Sequence, residues 1–348
     1  MNEILRALLA VMVNPKESVI DYFKILEIAK TAIDSLNQLP NVVVLDDSLK
    51  TFVIGDIHGH VVLPQISQEI GLTDSEGNFN EDIDFQLLFM GDMVDRGNCS
   101  FETLLFCVLL TLKYPGKVFC LRGNHETAEI ASIYGLYTEM ERKMGNTSYF
   151  EQVLEIFKVL PIAAIYQENF FVHGGPPFEP LETGDGRPLT IDEINAIERR
   201  VTNVNESESH ALLQMLWNDP EYSFRPSYRG AGFTFTDKNT TAFLKVNGLK
   251  CVYRAHQVAP EGHRIDQTAI QDAPQESAPK DSICVTIFSA PNYCNYAGNK
   301  GSIALFTDNE VSYISYTAPE SSRIKFDHHT EESVFDDAPT RMPSGTEI

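Results

Sequence analysis

The sequence predicts an α/β fold with βαβ units in its N-terminal half. Three observations carry that prediction. Short runs rich in Val, Ile, Leu and Phe recur along the chain, and each ends in glycine or polar residues. Longer stretches with apolar residues at helical spacing separate the early runs. The 348 residues suffice for one large domain or two small ones, and 43% of them are hydrophobic, as in a globular chain.

Taken in order, the elements begin with "MNEILRALLAVMVNPKES". Its apolar stretch is preceded by Glu3, broken by Arg6 and reaches Pro15 without a small-residue cleavage pattern. That reads as an amphipathic helix, not a signal peptide. Between residues 16 and 37, Val19, Ile20, Phe23, Ile25, Leu26 and Ile28 recur among charges, completing a helical lead-in over about 1–40. Six strands are then expected at "TFVIGD" (51–56), "FQLLFMGD" (85–92), "KVFCLRGN" (117–124), "NFFVHGG" (169–175), "KCVYRAH" (250–256) and "SICVTIFSAPN" (282–292). Helices are expected at "SFETLLFCVLLTLKY" (100–114) and "SYFEQVLEIFKVLP" (148–161). From "GAGFTFT" onward strands dominate, and no internal repeat is visible. The polar stretch 264–281, with two prolines, reads as a surface loop, and residues 319–348 as a flexible acidic tail after a folded unit spanning 1–318.

Charge and cysteine usage narrow the function. The formal charge of -22, from 49 acidic and 27 basic residues, argues against nucleic acid as a partner, because phosphate backbones need a basic face. No run approaches the ~20 apolar residues of a membrane span. Six scattered cysteines without a Cys-x-x-Cys pair read as free thiols in a reducing compartment, so a cytoplasmic and also nuclear location is expected. Cys294 is expected to be the most alkylation-prone of the six, since the others lie mainly in apolar runs.

In open α/β sheets, ligands gather beyond the carboxyl ends of the strands. The strand ends here carry Asp56 and His58; Asp92, Asp95 and Arg96; Asn124 and His125; His173; and His256. Taken singly, each has a bland reading. Gly-Asp after a strand is usually a turn, and His173 in "FFVHGG" would pass for a core histidine. A structural domain leaves their recurrence, in order, unexplained. Carboxylate, imidazole and neutral oxygen donors suit Mn²⁺, Fe or Zn²⁺.

The ordered set "GDIHG" (55–59), "GDMVDRG" (91–97), "RGNHE" (122–126), "HGG" (173–175), "RAHQ" (254–257) and "SAPNYC" (289–294) resembles the phosphoprotein phosphatases, the metal-dependent serine/threonine phosphatases. The likeness runs from about residue 15 to 315, and "RGNHETAEIASIYG" and "SAPNYCNYAGNKGS" are most similar to the protein phosphatase five branch. The resemblance implies a metallophosphoesterase-type central β-sandwich flanked by helices. It implies two divalent metal ions, with Asp56, His58 and Asp92 holding the first and Asp92, Asn124, His173 and His256 the second. Arg96, Arg229, Asn124 and Tyr293 would contact the phosphate or line its site, and His125, oriented by Asp95, would be the general acid. The implied activity is hydrolysis of phosphoserine and phosphothreonine in proteins by direct attack of metal-bound hydroxide. Phosphoproteins are then the substrates, and regulatory or targeting subunits the partners. The alternative is a relative acting on dinucleoside polyphosphates or other non-protein phosphoesters. A binding module that had lost catalysis should lack a ligand, and none is missing.

Three departures from the family pattern bear on the shape of the substrate groove. His60 stands where glutamine is usual, Met93 where an aromatic is usual, and Pro176-Pro177 follow "HGG". Trp217 in "LWNDP" fits the pattern and reads as a core aromatic.

Overall fold

The computed structural model describes residues 1–16, 20–179, 186–204, 210–268, 282–307 and 310–318. Its strands in chain order are β1 (Val42–Val44), β2 (Lys50–Ile54), β3 (Phe85–Phe89), β4 (Val118–Cys120), β5 (Ala163–Tyr166), β6 (Asn169–Val172), β7 (Phe178–Glu179), β8 (Arg187–Pro188), β9 (Asp219–Pro220), β10 (Arg225–Pro226), β11 (Phe233–Phe235), β12 (Cys251–Arg254), β13 (His263–Thr268), β14 (Ser282–Ile287), β15 (Gly301–Thr307) and β16 (Glu310–Tyr316). Two large sheets result, ordered β16-β15-β2-β3-β4 and β1-β5-β6-β12-β14-β13, beside two short ones built from β7–β11.

The two large sheets pack face to face, and the period of two along each strand shows how. In β2, Phe52 and Ile54 point to a helix-covered core, whereas Val53 points to the other sheet. In β3, Phe85, Leu87 and Phe89 take the first side and Leu88 the second. In β6, Phe170 and Val172 face a second helix-covered core, and Phe171 joins the inter-sheet layer. Each such buried side chain contributes about 1.5–3 kcal/mol.

Helices α1 (Asn2–Val13), α2 (Tyr22–Lys30), α3 (Ala32–Gln38), α4 (Leu63–Glu69), α5 (Ser100–Lys113), α6 (Ala128–Ile133), α7 (Leu136–Met144) and α8 (Phe150–Val159) contribute to the core outside the five-stranded sheet. Helices α9 (Ile191–Asn195), α10 (His210–Trp217) and α11 (Asp237–Asn247) contribute to the core outside the six-stranded one. Helix α5 is buried from Ser100 to Leu110, with α1, α2 and α3 against it. A helix this apolar on every side is stable only under such cover. The architecture is the expected sandwich between helices, and all six expected strands form.

One expectation fails. The polar segment 264–281 does not begin as a loop, because β13 pairs with β14 in antiparallel register up to Thr268. It was hard to see because this edge strand is half-exposed at every residue but Gln267 and carries Arg264 and Asp266 on one face. Residues 269–281 and the expected tail, 319–348, lie outside the described residues.

The topology positions the site. Strands β2, β3 and β4 are mutually parallel, as are β6, β12 and β14. A parallel bridge from Asp56 to Phe288 joins the two sheets at their carboxyl ends.

Candidate metal centre

The strand ends converge under backbone strain. His58 (φ +51°), Asp92 (φ +49°), Asp95 (φ +70°), Arg96 (φ +70°) and His256 (φ +70°) all have the left-handed backbone that side chains disfavour. Such residues persist only where surroundings over-determine them, and they cluster at functional sites. Glycine makes the crowding possible at two points. A Cβ on Gly91, itself at φ +95°, would lie 2.4 Å from the Gly123 nitrogen. One on Gly123 would lie 2.2 Å from Asp92 Oδ1.

Asp56, His58, Asp92, Asn124 and His173 form a buried floor, at most 3% exposed. The His58 Nδ1 hydrogen bonds to the Val94 carbonyl at 2.9 Å, and His173 Nδ1 to the Met90 carbonyl at 3.0 Å. A carbonyl only accepts, so each Nδ1 carries the proton and donates. In the neutral ring each Nε2 then presents a lone pair, the tautomer a metal requires. His58 Nε2 lies 3.4 Å from Asp92 Oδ2 and 3.7 Å from Asp56 Oδ2. On the other side, His173 Nε2 lies 3.2 Å from Asp92 Oδ1. The Asp92 carboxylate thus stands between two imidazoles.

Several buried atoms here have a ligand's chemistry and no partner within the protein. Asp56 Oδ2 and His256 Nε2 are buried without a hydrogen-bond partner. The Asn124 Oδ1 position lies 2.9 Å from both His173 Nε2 and His256 Nδ1 and 3.1–3.3 Å from the Asp92 oxygens. The Asp92 oxygens, and His173 Nε2 in the neutral ring, present lone pairs to that oxygen. Turning the amide over would let its nitrogen donate to them; left as it is, the cluster is one that a cation stabilises. Two groups of side chains can hold such an ion, His58–Asp92–His125 and Asp92–His173–His256, with Asp92 common to both.

The protonation tendencies follow from the same crowding. Burial and the charge of Asp92 push the Asp56 carboxyl up to about 7. Burial also opposes ionisation of Asp92, but the imidazoles of His173, His125 and His58 hold it well below the usual carboxylate range. Burial opposes protonation of His173, and the Asp92 carboxylate outweighs it, raising this imidazole to about 9, so a cation at Nε2 would take the place of a proton that Asp92 otherwise holds there. Burial drives His58 and His256 well below the ordinary histidine range, with help from His125 and Arg229 respectively.

His125 sits at the border of this cluster. Its Nδ1 is 2.7 Å from Asp95 Oδ2, and its Nε2 is 4.0 Å from Asp92 Oδ2. The other Asp95 oxygen accepts the Leu136 N–H at 2.8 Å, which fixes the carboxylate. Burial lowers the His125 pKa, yet the charges of Asp92 and Asp95 raise it overall.

The rim is more open. Arg96 is exposed, with its guanidinium 4.0 Å from the centre of the Tyr134 ring. Arg229 is half-buried, and its Nε donates to Asp219 Oδ2 at 2.5 Å. Tyr293 lies 5.0 Å from His58, ring to ring, in the loop after β14. Cys294, beside it, is half-buried while the other five cysteines are buried. Trp217 packs against the α10 core as read from the sequence, but it is only half-buried and meets His256 edge-on at 5.6 Å. The three departures lie inward: His60, Met93, Pro176 and Pro177 are all buried, and His60 alone approaches the rim, 6.0 Å from Tyr293.

Sequence reasoning named the strand ends and missed their supports. Glu126, quoted in "RGNHE" without a role, accepts the N–H groups of Asp92 and Gly123 on Oε2 at 2.8 Å each. Its Oε1 accepts those of Met93 at 2.8 Å and Val94 at 3.4 Å. It therefore pins the strained turn that carries Asp92. Asp219 and the buried Arg254, 3.0 Å apart, were missed too. A charged residue inside the apolar run "KCVYRAH" was the available signal, since such a group is buried only when paired.

A β-sandwich whose strand ends converge on a buried Asp/His/Asn cluster defines a phosphoesterase class, and residues 49–260 match the Calcineurin-like phosphoesterase family. The chain belongs to that family and, within it, to the metal-dependent serine/threonine-protein phosphatases. It is 34% identical over 261 residues to the serine/threonine-protein phosphatase 4 catalytic subunit of Saccharomyces cerevisiae, covering 74% of each chain. It is 35% identical over 275 residues to a protein phosphatase 2A catalytic subunit of Dictyostelium discoideum, covering 77% of this chain and 78% of the relative. A Saccharomyces cerevisiae protein serine/threonine phosphatase with similarity to human phosphatase PP5 superposes with a TM-score of 0.71 at 26% identity, over 89% of this chain and 95% of that one. The cold-active protein-tyrosine phosphatase of Shewanella shares the fold alone, with a TM-score of 0.56 at 16% identity over 81% and 84% of the two chains. Among the described residues, no helix is long and apolar enough to cross a membrane.

Proposed function

We propose that this protein hydrolyses phosphoserine and phosphothreonine in proteins at a two-metal centre, and that residues 1–318 form the catalytic domain. The observation that carries this reading is the Asp92 carboxylate between two imidazoles, with unpartnered Asp56 and His256 atoms buried in the same cluster. Asp56, His58 and Asp92 would hold one ion, and Asp92, Asn124, His173 and His256 the other. Mn²⁺, Fe and Zn²⁺ all suit these donors. Such ions supply positive charge and a water acidic enough to attack at neutral pH.

The chain's own residues do the rest. Arg96 and Arg229 bring guanidiniums to the rim, where their planar forks suit phosphate oxygens. Asn124 helps to orient the phosphate from the floor, and Tyr293 walls the site. His125 is the proton donor to the departing serine or threonine oxygen: its Nδ1 is held by Asp95, and its Nε2 is left free to face the substrate. A serine alkoxide is a poor leaving group, so that proton matters.

The relatives named as phosphatase catalytic subunits support phosphoprotein substrates and regulatory or targeting subunits as partners. Six free cysteines support a reducing compartment, and with it a cytoplasmic and nuclear location. Side-by-side assay of a phosphoserine peptide and a dinucleoside tetraphosphate tests the reading. Preference for the peptide is expected; preference for the dinucleotide would replace it.

A further inference from the structure

The half-buried Arg229 is held by one carboxylate that it does not own. Asp219 Oδ2 accepts from Arg229 Nε, and Asp219 Oδ1 accepts from Arg254 Nη2 at 3.0 Å. Asp219 and Arg254 are fully buried. Two guanidiniums thus share one negative charge in a place where an unbalanced charge is costly. A second carboxylate lies on β13: Asp266 pairs directly with Arg264 and reaches Arg254 only through Thr286. Asp266 Oδ2 accepts from the Thr286 hydroxyl at 2.5 Å, which turns a Thr286 lone pair toward Arg254 Nη1, 3.1 Å away. Arg254 Nη1 also donates to Gln257 Oε1 at 2.9 Å; that oxygen accepts from Arg264 Nη2 at 3.0 Å, and Arg264 Nε donates to Asp266 Oδ1 at 2.7 Å. The ring Asp266–Thr286–Arg254–Gln257–Arg264 is closed. Arg254 Nε, bonded to the Gly174 carbonyl, fixes its plane.

We propose that Asp266 is a positioning residue for the phosphate clamp: through Thr286 and Arg254 it orients Asp219, and Asp219 orients Arg229. The inference rests on Arg229 contacting the phosphate. Its physical content is that the edge strand β13, which carries none of the strand-end motifs itself, sets the geometry of one of the two guanidiniums. Neutralising Asp266 leaves Arg254 more dependent on Asp219, which loosens the grip of Asp219 on Arg229. A group that binds ground state and transition state alike changes KM more than kcat.

The test uses inorganic phosphate as a competitive inhibitor of the full chain. It compares wild type, Asp266→Asn, Arg229→Ala and the double variant, with melting temperature and metal content measured in parallel. Asp266→Asn is expected to weaken phosphate inhibition and raise KM for a phosphoserine peptide by about 3- to 10-fold, with kcat changed less and metals retained. In the Arg229→Ala background it is expected to add nothing. A full effect in that background, or loss of metal through the neighbouring His256, would overturn the proposal. So would unchanged inhibition with a lowered melting temperature. Thr286→Val breaks the same relay without touching a charge and carries the same expectation if Asp266→Asn does not fold. If Arg229→Ala itself leaves phosphate inhibition intact, the clamp reading of Arg229 falls, and this inference with it; if only Asp266→Asn does so, the inference falls alone.

Discussion

The floor and the rim of the site are built by different physics. On the floor, Asp56, His58, Asp92, Asn124 and His173 are buried, and the backbone itself fixes them: carbonyls of Val94 and Met90 set two imidazole tautomers, and Glu126 pins the Asp92 turn. At the rim, Arg96 leans on one aromatic ring and Arg229 on one shared carboxylate. The floor is rigid because a misplaced ligand costs a metal. The rim is held by few contacts, as suits side chains that must meet an incoming phosphate. Substitutions should therefore separate into those that remove metal and those that spare it.

The largest effect expected is from metal removal. Without a cation, the Asp56 and Asp92 carboxylates repel each other in a buried space, so prolonged chelation should abolish turnover and lower the melting temperature. Calorimetry with and without chelator checks this; an unchanged melting temperature would mean that the floor is stable by itself and not built around an ion.

His125→Ala comes next. It should slow phosphoserine hydrolysis by roughly the 10²–10⁴-fold typical of general acid catalysis and slow nitrophenyl phosphate far less, because nitrophenolate leaves without a proton. Metals should stay, since Asp56, His58 and Asp92 are proposed to hold the first ion without this residue. Equal losses on both substrates would assign His125 to phosphate binding. Loss of metal would place it among the ligands, a position its 4.0 Å approach to Asp92 permits.

Glu126→Gln should fall between floor and rim. One oxygen still accepts, but two N–H groups of the Asp92 turn lose their partner. Metal affinity should drop by about 10- to 100-fold, the usual cost of removing a support behind a ligand. Metal titration followed by inductively coupled plasma analysis decides it.

Tyr134→Leu is the mildest. A cation–π contact at an exposed site is worth about 0.5–1 kcal/mol, so KM should rise roughly two- to five-fold with metal content unchanged. A loss of metal here would erase the distinction between rim and floor.

How much of this was legible in the sequence follows from the same division. Every floor residue sits within four positions of an apolar strand run, so the run and its polar end announced them together. Helices α1–α3, α5 and α8 announced themselves by their apolar patterning, whereas α4, α6, α7 and α9–α11 were not expected from it. What stayed hidden depends on tertiary adjacency. Asp219 means little until Arg254 and Arg229 are seen on either side of it. Glu126 means little until the Asp92 turn folds onto it. Strand β13 escaped because Arg264 and Asp266 satisfy each other across an exposed edge, which erases the apolar alternation a strand usually shows.

Asp92 is proposed to join two metal sites. The direct measurement is metal content per chain in wild type and in Asp92→Asn, after dialysis against metal-free buffer and with folding confirmed by circular dichroism. The prediction is two ions in the wild-type chain and one or none in the variant. Two tightly held ions in folded Asp92→Asn protein would contradict the claim.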